Sequence, residues 1–141
     1  MPASESGSYL LLLHLERPAT LRIGALGVHA LPAGYYLYAG SALGSGGLGA
    51  RLGRHLRREK RRHWHIDYLL EAAEVVEVWV VRGGERRECD LARAALALPC
   101  ASAPIPRFGA SDCRCPAHLV HLPRRPRREE VGMGVEGYGA L

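Results

Sequence analysis

The strongest constraint on the fold lies in the first third of the chain, where three short apolar runs follow one another with only turn-forming residues between them. Residues 9–16 (YLLLLHLE) and 20–24 (TLRIG) flank Arg17, Pro18 and Ala19. Residues 28–31 continue the second run, and Pro32, Ala33 and Gly34 then turn the chain into residues 35–41 (YYLYAGS). Runs of this length, bounded by Pro and Gly, read as strands. The connections are too short for a crossover, so the strands pair antiparallel. In the third strand Tyr36 and Tyr38 share one face, and Tyr35 and Leu37 the other.

A glycine-rich loop (residues 40–49) leads into a helix in which Leu48, Leu52 and Leu56 form the core stripe. Arg51, His55 and Arg58 flank that stripe, while Arg54, Arg57 and Arg61 point to solvent. The loop is not a nucleotide cradle, because no Gly-Lys-Ser/Thr follows it. Residues 66–71 (IDYLLE) read as a short helix, 75–81 (VVEVWVV) as a strand and 86–98 (RRECDLARAALAL) as a helix rich in alanine and leucine. The stretch 108–122 is irregular and ends in a short strand. The expected architecture is α+β: a small antiparallel sheet of three strands, extendable, flanked by helices. Residues 1–122 form the domain, and the Pro-, Arg- and Gly-rich residues 123–141 form a flexible tail.

Charge is concentrated. Residues 51–65 (RLGRHLRREKRRHWH) carry seven of the nineteen Lys+Arg and one acid, a net +6 that leaves −1 for the other residues. Such a patch, carrying Trp64 and three histidines, suits a polyanion; a solvated helix face in an arginine-rich chain is the alternative. Apolar runs such as residues 10–13 are far below the ~20 residues of a membrane span. Residues 1–9 (MPASESGSY) have no positive n-region and are not read as a signal peptide, and four cysteines without a secretion signal point to a reducing compartment, so a cytoplasmic protein with no membrane association is expected.

Five residues on four elements, which composition alone does not select, make an inventory for phosphodiester chemistry: Tyr9, Tyr38, Arg51, His55 and Glu88; tyrosines packed at strand ends and a glutamate complementing a helix dipole are the alternative. Such a reaction needs a base for water, a cation for the phosphate and a carboxylate for a divalent metal. Two other groups compete. His63, His65 and Asp67 have HxHxD spacing, half of a dinuclear metal site, but structural hydrogen bonds from His65 and Asp67 are the favoured reading, with Trp64 packing or stacking on a base. Cys113, Cys115 and His118, with Cys89 more distant, have the ligand types of a structural Zn²⁺ site; packed buried thiols are the other reading.

Gly7-Ser8-Tyr9 and Tyr38-Ala39-Gly40 resemble the two paired motifs of the GIY-YIG nuclease superfamily. Arg51, His55 and Glu88 match its later positions. The blocks YAGSALGSGGLGARLGRHLRREKRRHWHIDYLL and FGASDCRCPAHL are similar to the Uri-type branch, domain of unknown function 123, across residues 7–122. Ser8 and Ala39 depart from the family name, the loop before Arg51 is long, and no residue matches the asparagine of some homing enzymes, since the chain has no Asn.

The resemblance implies a DNA endonuclease dependent on one Mg²⁺ or Mn²⁺ held by Glu88, acting in DNA repair or processing, with a DNA-repair protein as a further partner. Tyr9 would be the general base or orient the water, with its pKa lowered by cations such as Arg51; Tyr38 stands beside it. His55 would assist the proton relay and Arg51 would bind the scissile phosphate. Arg54, Arg57, Arg58, Lys60, Arg61, Arg62 and Trp64 would bind nucleic acid. The alternative is a nucleic-acid-binding module that keeps the fold without catalysis.

Overall fold

A computed structural model describes residues 5–57, 64–110 and 115–138. Its centre is β1 (Gly7–Leu15), whose alternate side chains serve two cores. Tyr9, Leu11, Leu13 and Leu15 enter one cluster, and Leu10 and Leu12 the other. A strand apolar on both faces must be covered on both faces, and the remaining elements do this.

The sheet has five strands in the order β6 (Leu119–Leu122), β4 (Gly34–Ala42), β1, β5 (Glu74–Arg82), β7 (Glu136–Gly137), all paired antiparallel. The first face is covered by α1 (Gly47–Leu56), α2 (His65–Leu69) and Ile105 and Phe108 of the later loop. The opposite face is covered by α3 (Glu88–Leu96) and α4 (Arg128–Val131). The result is three layers, with Trp79 fully buried under the α3 and α4 layer.

Two expectations change. Residues 19–31 do not supply a strand to the main sheet. β2 (Ala19–Arg22) and β3 (Val28–Leu31) pair only with each other, across a 3₁₀ turn that uses positive φ at Gly24 and Gly27. Leu31 of β3 and Ile23, which follows β2, join the first core cluster, while Val28 stays exposed. β4 therefore pairs directly with β1, and β5 takes β1's other edge. The supposed tail is the second correction: residues 123–138 form α4 and β7, and Val131 and Val135 are buried in the second cluster.

Within α1 the helical period redistributes the stripe. Leu48 and Leu52 are buried, but Leu56 is exposed and His55 takes the third inward place. Seven residues is about two turns, so His55 stands over Leu48, whereas the eighth has rotated away.

Candidate active site

The register of β1 on β4 sets Tyr9 opposite Gly40 and Leu11 opposite Tyr38. Tyr9 and Tyr38 are thus diagonal neighbours on one face. Both are buried, at 0% and 7% exposure, where α1 crosses the end of the sheet. Gly40 is required by contact: a Cβ there would lie 2.5 Å from Cζ and Oη of Tyr9.

His55 reaches down from α1, and its Nε2 lies 2.7 Å from the Tyr9 hydroxyl. Its ring also meets Tyr38 edge-on and Trp64 at a tilt. Arg51, one turn earlier, donates from Nη1 to the Ser41 carbonyl at 2.9 Å and lies 4.4 Å from the Trp64 ring centroid. Arg54 also packs on Trp64, at 4.2 Å, and makes a two-pronged ion pair with buried Asp67, at 3.0 and 2.9 Å. Asp67 accepts a third hydrogen bond from the Trp64 backbone N–H.

Electrostatics extend the cluster to α3. Burial pushes the Tyr9 phenol up to about 12, against the pull of the Arg51 charge and hydrogen bond, with Glu88 adding to the rise. Tyr38 is raised well above the ordinary phenol value, first by burial and then by Tyr9 and Glu88. Glu88 therefore acts on both tyrosines. Its side chain is 14% exposed and pairs with Arg86 at 3.2 Å. The expectation that neighbouring cations depress Tyr9 is corrected: removing a phenolate from water outweighs them.

Sequence reasoning missed the residue that ties α3 to this sheet end. Ser8 Oγ accepts a hydrogen bond from the Arg87 N–H at 2.9 Å and lies 3.0 Å from Ser41 Oγ. Arg87 immediately precedes Glu88, so β1 fixes the start of the helix that presents the carboxylate. A serine in a leucine-rich strand was the available signal.

Of the residues assigned to nucleic-acid binding, Arg57 is exposed at the end of α1. Arg54 does not point to solvent as expected, because buried Asp67 requires a cation and holds it. The Trp64 ring is packed by Arg51, Arg54 and His55. Arg58, Lys60, Arg61, Arg62 and His63 lie outside the described residues. His65 Nδ1 accepts the Gly109 N–H at 2.8 Å, so His65 and Asp67 both have structural roles.

Two places fit metal chemistry differently. Glu88 is a single carboxylate, and no group of three metal-ligating side chains gathers around it among the described residues. One carboxylate with water and substrate oxygens is a common way to hold Mg²⁺, so the donor set fits such an ion. Separately, Cys89, Cys115 and His118 form a cluster that could hold a metal ion, their ligand atoms all within 4.8 Å of one another. Burial lowers the His118 pKa, favouring the neutral imidazole. Cys113 lies outside the described residues.

These features define a three-layer α+β domain with a buried Tyr-His pair, an adjacent arginine and a nearby helix-start glutamate. The chain belongs to the family described as domain of unknown function DUF123, which matches residues 8–137. No curated protein and no solved structure shows a significant match. No helix among the described residues is long and apolar enough to cross a membrane.

Proposed function

We propose that this is a metal-dependent DNA endonuclease of the GIY-YIG type, of the Uri branch, working in DNA repair or processing. The observation that carries the reading is the 2.7 Å contact between the Tyr9 hydroxyl and His55 Nε2 beside Arg51. A phenol raised to about 12 does not serve as a standing base near neutrality. A relay avoids that difficulty. As the attacking water gives its proton to the phenol oxygen, the phenol passes its own proton to His55 Nε2, in the tautomer that carries the ring hydrogen on Nδ1.

Arg51 is pinned by a backbone carbonyl and an aromatic ring, and so presents a pre-oriented charge to the scissile phosphate. Glu88 would hold Mg²⁺ or Mn²⁺, which when bound supplies charge stabilisation at the departing oxygen. Tyr38 closes the apolar wall beside the reacting phenol, and Arg57, exposed at the end of α1, would bind backbone phosphates.

The test is cleavage of end-labelled single-stranded, duplex and branched DNA with either metal, using wild type, Tyr9→Phe and Glu88→Ala. Wild type is expected to cut, while both variants bind DNA but lose at least about 10²-fold in rate, the scale of a lost acid–base group. Equal binding without cleavage by any of the three rejects catalysis in favour of the binding module.

A further inference from the structure

A second cluster able to hold a metal lies beside the start of α3, next to the strand that bears Tyr38. Cys89 is the second residue of α3, and Cys115 and His118 lie on the segment entering β6. Cys89 Sγ stands 3.5 Å from His118 Nε2. Tetrahedral zinc, with Zn–S of about 2.3 Å and Zn–N of about 2.0–2.1 Å, separates a bound sulfur from a bound nitrogen by about 3.6 Å. Cys89 and His118 thus have the spacing of two ligands of one ion, with the Cys115 sulfur within 4.8 Å of both.

Their supports are rigid. The His118 main chain donates to the Phe108 carbonyl at 2.7 Å and accepts from the Ala39 N–H at 2.9 Å. Arg107 Nη1 donates to the Cys115 carbonyl at 2.7 Å, and the Arg107 N–H to the Pro116 carbonyl at 2.6 Å. Cys115 and His118 are buried, at 5% and 3% exposure. Two sulfurs and one imidazole select a borderline-soft ion over Mg²⁺ or Ca²⁺.

We propose that Cys89, Cys115 and His118 bind one structural Zn²⁺, distinct from the ion assigned to Glu88. The zinc joins the first turn of α3 to a segment hydrogen-bonded to Ala39, the neighbour of Tyr38. It therefore fixes Glu88, one residue from Cys89, relative to the strand bearing Tyr38. Only this positioning consequence rests on the nuclease reading; the binding does not.

The full chain, purified and dialysed against metal-free buffer, is analysed for zinc and then for cobalt after exchange. One zinc per chain is expected. The cobalt form should show tetrahedral d–d bands and thiolate-to-cobalt charge transfer in the near ultraviolet. Cys89→Ser, Cys115→Ser and His118→Ala lose the stoichiometric metal, whereas a variant of exposed Cys100, Cys100→Ser, and Glu88→Ala retain it. A wild type that takes up no stoichiometric zinc on titration, or a cobalt form without thiolate charge transfer, overturns the site and leaves a thiol–imidazole contact. Cysteine variants that hold as much zinc as wild type overturn it equally. The wild-type spectra decide the matter if a variant fails to fold. Zinc retained by Glu88→Ala without cleavage by any form separates failure of the nuclease reading from failure of the zinc site.

Discussion

Gly40 shows how one residue without a side chain defines the site. Its partner across the strands is Tyr9, and a Cβ at position 40 meets the phenol at 2.5 Å. Gly40→Ala is expected to cost about 1–3 kcal/mol, the range for overpacking a core. In a Tyr9→Ala background the same change should cost far less. Urea unfolding of both singles and the double completes the cycle, and strictly additive costs would reject the close approach. At this scale the alternation of Tyr36 and Tyr38 against Tyr35 and Leu37 was legible from the two-residue period of a strand. The burial of His55 was equally present in the helical period, but the leucines drew the stripe to Leu56. Asp67 holding Arg54 was not legible, because nothing local links positions thirteen residues apart.

Among the elements, α4 and β7 carry the clearest structural consequence. β7 pairs along the outer edge of β5, Val131 and Val135 close the core over Trp79, and Arg125 pairs with Glu77 at 2.8 Å. Deleting residues 123–141 removes two buried valines, each contributing about 1.5–3 kcal/mol, and uncovers a strand edge. The truncated chain should melt at lower temperature and self-associate on gel filtration; an unchanged melting profile would reject the docking. Composition concealed this segment. Its apolar residues come singly among arginines, prolines and glycines, and they gain their place only from a surface built by earlier elements. The same cause explains the β2–β3 hairpin. Apolar runs and turns disclosed two strands, but which edge of β1 remained available to them depended on the distant β5.

For the molecule as a whole, three buried phenols set the alkaline limit. Tyr9, Tyr38 and Tyr36 are all raised, in each case first by burial. The folded state therefore keeps protons that the unfolded chain releases above about pH 10. Stability is whole below that value and falls as pH rises through about 12, the folded value of Tyr9. Urea midpoints should decline between about pH 10 and pH 12, less steeply for Tyr9→Phe; identical slopes would show that Tyr9 ionises as freely when folded. The α+β class and the helix over Gly47–Leu56 were readable in the sequence, whereas the direct pairing of the strands bearing Tyr9 and Tyr38 was not. The layering was not, because only packing reveals which elements cover each face of β1. One more consequence follows from Arg82, which meets Glu5 at 3.3 Å and also pairs with Glu136. The two ends of the described chain are thus clasped by a single side chain. Their order of synthesis is immaterial to the architecture: a permuted chain, joined there and opened at the exposed Gly83–Gly84 bend, would contain every strand pairing of the original.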